Sequence, residues 1–259
     1  MTAETSAISA SEVQFSYDGE DLILKNVGLT LEKSEILGIL GPNGSGKTTF
    51  VKCLNKILEP IQGSILLEGD DVNSLKRRDI AKRVGFVPQA SNSEMSSPFV
   101  YDVVMMGRRP HMTWQYTEKD DEIVWKIMKD FDVAHLASKH FNELSSGQTQ
   151  RVLIARAVAQ DASILLLDEP TSNLDVKYQI EVMNIIRGIV DERAVSACAI
   201  IHDLDLAMKY CDKVIILNEG VVVSSGTPQE ALTPETIKEV YDVDAFVEDV
   251  HGRYRVMIS

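Results

Sequence analysis

The sequence predicts an α/β protein: one sheet-centred unit with an antiparallel β region at its edge and a helical lobe inserted into it. Three observations carry this prediction. A wholly apolar run at residues 36–40 leads straight into a glycine-rich turn and a helical pattern at 48–58. Helix-periodic sequence with few strand signals fills residues 95–158. Short apolar runs then return at 164–167, 197–201 and 214–217, with a helical pattern at 176–189 between the first two. The helical block therefore interrupts one domain rather than ending it.

Taken in order, residues 12–40 read as short alternating strands, with turn chemistry at Asp18-Gly19 and an amphipathic stretch at 22–31. This is the expected antiparallel edge. A hairpin-like piece follows at 63–69, then an apolar strand at 84–87 stopped by Pro88. The lobe is expected to hold helices at 100–106, 121–131 and 148–159. Beyond it, 214–217 and 221–225 form a hairpin across Asn218-Glu219-Gly220, and Thr233-Pro234 opens a last helix. No internal repeat or low-complexity linker divides the chain. The expected organisation is a single unit over 1–259, with a catalytic core at 10–90 and 159–230, a helical subdomain at 91–158 and a C-terminal extension at 231–259.

Composition narrows the function classes. With 259 residues and 44% hydrophobic content the chain can bury a full core. Its 39 acidic against 26 basic residues, a net charge of -13, would repel a phosphate backbone, and nucleic acid is not an expected partner. The densest basic run, Lys76-Arg77-Arg78 beside Asp79, reads as a solvated helix face. Cys53, Cys198 and Cys211 are widely spaced and odd in number, unlike a disulfide framework or zinc site, which points to a reducing compartment. Residues 1–15 lack the pattern of a secretory signal, and no apolar run approaches the roughly 20 residues of a spanning helix. Membrane association is thus expected only through partners. His135, His140 and His251 lack metal-ligand spacing, and Asp242, Asp244, Glu248 and Asp249 read as a solvated acidic face.

Two elements carry chemistry. Gly41-Pro42-Asn43-Gly44-Ser45-Gly46-Lys47-Thr48 fits G-x-x-x-x-G-K-[ST] after a predicted strand and before a predicted helix, the context of a P-loop nucleotide-binding sheet core. Its glycines let backbone N–H groups curl around a phosphate, the helix aims its positive end at the same anion, and Lys47 reaches the β- and γ-phosphates. Thr48 is placed to ligate Mg²⁺, and Thr49 is counted with the nucleotide contacts. Asp168 and Glu169 end the apolar strand at 164–167. Asp168 would hold the ion or its hydration shell, and Glu169 would polarise a water attacking the γ-phosphate.

Between these elements, Leu144-Ser145-Ser146-Gly147-Gln148 resembles the signature of ABC ATPases, and residues 10–230 fall into that family's order. The resemblance implies ATP and Mg²⁺ as bound species. It places Tyr17 at the position that stacks on adenine; from the residue alone Tyr17 reads equally well as a core or edge aromatic. It makes Gln89 the glutamine that senses Mg²⁺ and the γ-phosphate, and His202 the histidine that contacts the γ-phosphate. Ser172-Asn173-Leu174-Asp175 is similar to the loop that crosses to a partner subunit. Ser145, Ser146, Gly147 and Gln148 are implied to meet the ATP of the other subunit in a homodimer. Ser146 departs from the family's usual glycine, and a positive φ there would carry a cost.

Residues 100–111, with His202-Asp203-Leu204 and Gly226-Thr227-Pro228, are similar to the equivalent stretches of iron-siderophore, cobalamin and haem importers. Molybdate, tungstate, zinc and manganese importers share much of this. Residues 91–111, with Trp114 nearby, are expected to receive the permease, against the alternative that they are core. The implied partners are integral-membrane permease subunits and, indirectly, an external binding protein, at the cytoplasmic face of the membrane. Three rivals are weaker. A DNA-directed ABC ATPase would need a long coiled coil, whereas the interval from Lys47 to Leu144 accommodates the helical lobe alone. A non-hydrolysing switch would not need Glu169. An exporter's ATPase is opposed by Gly107-Arg108 and by the separate, span-free chain.

Overall fold

The computed structural model describes residues 6–89, 98–249 and 254–259. The chain opens with β1 (Ile8–Phe15) and β2 (Leu24–Leu31), then β3 (Ile36–Leu40) and α1 (Lys47–Leu54). β4 (Gln62–Leu67), β5 (Asp70–Asp71), α2 (Arg77–Arg83) and β6 (Val84–Val87) follow. The lobe contains α3 (Val100–Met105), α4 (Glu118–Asp130) and α5 (Ser146–Ala159). The chain then runs through β7 (Ile164–Leu167), α6 (Val176–Arg193), β8 (Ser196–Ile200), α7 (Leu204–Tyr210), β9 (Lys213–Asn218) and β10 (Val221–Gly226). It closes with α8 (Pro228–Ala231), α9 (Pro234–Tyr241), β11 (Ala245–Asp249) and β12 (Tyr254–Ile258).

The central sheet has the order β10-β9-β3-β8-β7-β6, parallel except for β10 at its edge. β3, β7 and β8 are buried at every residue, as parallel strands covered on both faces must be. The period of two sorts them between two cores. Leu37, Ile39, Ile164, Leu166, Cys198 and Ile200 pack with α1 and the antiparallel sheet β2-β1-β4-β5. Ile36, Leu40, Leu165, Leu167, Ala197 and Ala199 pack with α6, α7 and the helical lobe. The β9–β10 turn has positive φ at both Glu219 (46°) and Gly220 (81°), a type I′ reversal that matches the strand twist.

Helix bounds differ from the sequence pattern where caps set them. α4 starts at Glu118 because Thr117 caps it and the Asp120 carboxylate returns a bond to the Thr117 amide. α5 starts at Ser146 because Ser145 and Gln148 make the same reciprocal pair. α1 ends at Leu54, short of the expected 58, since Lys56 turns left-handed at φ 55°. α6 runs on to Arg193 and stops at Ala194, φ 53°.

Two sequence expectations need correction, and one element is new. Arg78 lies on an exposed face but is no solvated cation: its guanidinium donates to the Pro110 and Met112 carbonyls at 2.9 and 2.7 Å, tying α2 to the lobe. The helix at 234–241 is the last helix among the described residues, as expected, and the β11–β12 hairpin, absent from the sequence pattern, follows it. Val247 and Val256 face the core there, and the Val256 amide donates to Asp205 at 2.9 Å. Much of the expected permease face is core: Val100, Val103, Val104, Met105, Gly107 and Arg108 are buried, while Phe99, Met106 and Trp114 are exposed. Residues 91–97 and His251 lie outside the described residues. The three cysteines are buried and free, and burial pushes the Cys53 and Cys198 thiols up to about 12, which makes them inert.

Arg108 explains why the lobe holds together. It pairs with Asp120 at 2.9 Å and donates to the Ala159 carbonyl at 2.8 Å, both side chains being buried. Gly107 beside it lets the chain approach α5 so closely that a Cβ would stand 2.2 Å from the Arg156 carbonyl. Removing one partner strands a buried charge, so Arg108→Ala is expected to lower unfolding stability in denaturant by about 3–5 kcal/mol. Burial alone would raise the Asp120 carboxyl, but Thr117 and the Arg108 guanidinium outweigh it and hold the value at about 2. The folded value lies below the unfolded one, so this contribution is present above the unfolded pKa and is lost as pH falls through the folded one. Asp120→Asn should flatten the acid limb of a stability–pH curve between about pH 4 and 2.

Candidate functional site

Four parallel strands end on one edge, and every chemically notable residue of the core leaves from that edge. The glycine-rich loop follows β3, Gln89 follows β6, Asp168 and Glu169 follow β7, and His202 follows β8. This is where an open parallel sheet places ligands.

The loop is shaped by backbone that only glycine tolerates. Gly41 has φ 139°, and a Cβ there would lie 2.0 Å from the Leu217 carbonyl oxygen of β9. Gly44 and Gly46 are also left-handed, and Gly46 precedes the first residue of α1. The Lys47 ammonium folds back over the loop and donates to the Gly41 and Pro42 carbonyls at 2.9 and 2.7 Å. Burial pushes its pKa down, while the charges of Glu169 and Asp168 pull it up. Ser45 keeps a buried hydroxyl that bonds nothing among the described residues. A cavity of about 170 Å³ opens over Asn43, Gly44, Gly46, Lys47, Thr48 and Thr49, with Ile23 and Glu169 on its walls. A concave run of amides at a helix start, a lysine and an orphaned hydroxyl fit an oligophosphate.

The acids are held by the same groups. Thr48 Oγ1 donates to Asp168 Oδ1 at 2.9 Å; burial raises the Asp168 carboxyl and this bond works against it. Thr48 and Asp168 offer two oxygens. A hydroxyl and a carboxylate oxygen are hard donors, and two of them suit a hard cation that keeps waters and phosphate oxygens. Glu169 sits left-handed at φ 53°, with one oxygen accepting from Gln89 Nε2 at 2.7 Å and the other paired with His202 Nε2 at 2.8 Å. A non-glycine residue held there costs about 1–2 kcal/mol, which the surrounding bonds must offset.

Tyr17 is not core. Its ring is 65% exposed, edge-on to Phe15, and its hydroxyl lies 3.1 Å from Thr49 Oγ1. Ser145, Ser146, Gly147 and Gln148 are not brought to this cavity; they form the N-terminal turn of α5. Ser146 is helical and absent from the left-handed residues, so the expected strain does not arise. The glycine requirement falls on Gly147, covered by the Tyr178 ring. Ile23 and Tyr178 were not singled out in the sequence, where neither stands in a motif. A larger cavity of about 690 Å³, between α6, α7 and β12, holds none of the predicted site residues.

Residues 24–172 match the ABC transporter family. The chain is 41% identical over 221 residues to a cobalamin import ATP-binding protein of Halobacterium salinarum, covering 85% of this chain and 55% of that protein's length. It is 31% identical to the ferric enterobactin transport ATP-binding protein of Escherichia coli, over 96% of this chain and 92% of that one. It is 37% identical to a hemin import ATP-binding protein of Pseudomonas fluorescens, over 89% and 91%. A metal-chelate type ABC transporter solved in an inward-facing conformation aligns with TM-score 0.84 at 28% identity, over 98% of this chain and 97% of that one. A bacterial ABC transporter cassette solved as a dimer aligns with TM-score 0.75 at 27% identity, over 85% and 98%. The chain thus belongs to the ABC transporter family, as one of its ATP-binding, ATP-hydrolysing subunits.

Proposed function

We propose that this chain hydrolyses ATP to drive a membrane importer of a metal chelate, an iron-siderophore, cobalamin or haem. The observation that carries the chemistry is the convergence on one sheet edge of two bonded groups, Thr48 with Asp168 and Glu169 with Gln89 and His202, with Lys47 close enough to feel the charge of both acids. The cargo reading rests on relatives named for cobalamin, ferric enterobactin and hemin.

Each residue has a distinct task. Gly41, Pro42, Asn43, Gly44, Ser45 and Gly46 wrap the phosphates, and Lys47 gives up its two carbonyls to reach the β- and γ-phosphates. Tyr17 presents its exposed ring to the adenine. Thr48 and Asp168, with Gln89 beside them, would hold Mg²⁺, which neutralises charge on the β- and γ-oxygens. Glu169 orients the attacking water and takes its proton, and His202, released from Glu169, donates to the γ-phosphate. Gln89 and His202 hold both Glu169 oxygens, so His202 must leave Glu169 before the base is free.

The turn 145–148 serves a second nucleotide. None of its residues lines the chain's own cavity, and a helix start is useful to a phosphate only if it meets one. Two chains sandwich two ATP molecules, and hydrolysis releases the pair. No helix among the described residues is long and apolar enough to cross a membrane, so force reaches the bilayer through permease subunits at its cytoplasmic face. These in turn engage an external binding protein. A cleft of about 440 Å³ between α2, β6 and the lobe suits the permease: among the described residues it is lined by Ile57, Phe86 and Met106 with Lys56, Arg77 and Arg156, and by no carboxylate.

The reading is tested by Mg²⁺-dependent ATP turnover. Glu169→Gln should lower kcat on the order of 10²–10⁴-fold while nucleotide affinity persists, and should trap an ATP-bound dimer seen by light scattering. A variant that turns over ATP at the parent rate would remove Glu169 from its role. Because Ser146 is already helical, Ser146→Gly should change neither unfolding stability by more than about 0.5 kcal/mol nor turnover more than about twofold. A large gain in turnover would show that the serine hinders the phosphate after all.

A further inference from the structure

The N-terminal turn of α5 is packed by a single aromatic ring. Gly147 is buried although Ser145 and Ser146 beside it are exposed, and what covers it is Tyr178. A Cβ on Gly147 would meet the Tyr178 ring carbons Cδ1, Cγ and Cε1 at 3.0, 3.2 and 3.4 Å, so the ring packs directly against the glycine. Tyr178 belongs to the first turn of α6, which starts directly after the loop 172–175. That loop is bonded to the catalytic strand end: the Ser172 amide and hydroxyl donate to the Glu169 carbonyl at 3.2 and 3.0 Å. One turn further on, Arg151 of α5 pairs with Glu181 of α6.

We propose that Tyr178 is a positioning residue that aims the phosphate-facing turn of α5, and so controls how tightly this chain grips a nucleotide held by a second copy. The inference rests on the sandwich described above. The amides of Ser146 and Gly147 have no acceptor within the helix and can bond only outward. Their aim depends on the tilt of the first turn, and an exposed turn rocks unless something packs it. The Arg151–Glu181 pair holds the two helices together one turn further on, away from these amides. The contact of a rigid ring with a residue that has no side chain is the closer constraint, and it needs glycine at 147 for the same reason that it needs a ring at 178. Through the loop 172–175 the ring is also tied to Glu169, so each chain's own catalytic strand end is joined to the turn that serves the other nucleotide.

Tyr178→Ala and Tyr178→Phe are to be compared in full-length protein carrying Glu169→Gln. Three quantities are read: affinity of the monomer for a fluorescent ATP analogue, the ATP concentration at half-dimerisation, and amide exchange at Gln148 and Thr149, whose amides bond Ser145, without nucleotide. Tyr178→Ala should leave monomer affinity within twofold, raise the half-dimerisation concentration about tenfold (about 1.4 kcal/mol), and speed exchange at these amides. Tyr178→Phe should match the parent in all three. An alanine variant that dimerises at the parent's ATP concentration, one that loses monomer affinity to the same degree, or a phenylalanine variant that behaves as alanine does would each overturn the proposal. If Glu169→Gln with Tyr178 intact never dimerises, the sandwich fails, and the exchange comparison alone decides: unchanged exchange in the alanine variant sinks the positioning role.

Discussion

The close approach of β3's exit to β9 governs the site. At Gly41 the chain passes against the Leu217 carbonyl with no room for a side chain, and it must turn there with φ 139°. That forced turn sets the curvature of the loop, the start of α1 at Lys47 and the return of the Lys47 ammonium to the Gly41 and Pro42 carbonyls. Because β8 pairs in register with β3, and β7 in turn with β8, the positions of Asp168, Glu169 and His202 follow from the same anchor. A shift of β3 by one residue would reverse its faces and empty both cores at once.

Electrostatics then make the edge self-consistent. Lys47 is partly desolvated and satisfied by two carbonyls; Asp168 is partly desolvated and satisfied by Thr48; Glu169 is satisfied by Gln89 and His202. Each group the reaction needs is occupied by another such group rather than by an outside partner. Lys47 and Asp168 also shift each other toward their charged forms, which eases their burial.

How far the sequence revealed this depends on the range of each interaction. The strands at 36–40, 84–87 and 164–167 were legible because burial on both faces leaves an unbroken apolar run. The P-loop glycines were legible because their backbone demand is local. Helix starts at 118 and 146 were missed since capping boxes, not apolar periodicity, set them. The β11–β12 hairpin was hidden because its strands carry Glu248, Asp249 and Arg255, and only docking on α7 makes it a sheet. Arg78 and Arg108 read as surface charge or import signal, yet their work is to bind the lobe, through contacts 32 and 12 residues away in the chain. At the site, Ser146 drew attention because it breaks the family pattern, whereas the geometric demand lies one residue later, where a ring from a distant helix fills the space.

That displacement from Ser146 to Gly147 bears on why the motif tolerates serine. A helix N-terminus needs a small residue for one of two reasons: a partner backbone or phosphate approaches it, or another side chain of the same protein packs on it. At 146 the side chain points outward from a helical residue, and a hydroxyl there can add a donor to those the backbone already presents. At 147 the side-chain direction is inward, onto Tyr178, and any Cβ pushes the ring or tilts the turn. The two positions are thus unequal in kind: the first is limited only by what docks from outside, the second by the fold of this chain. A serine at the first costs the helix little, and the aim of the turn survives because the second remains glycine.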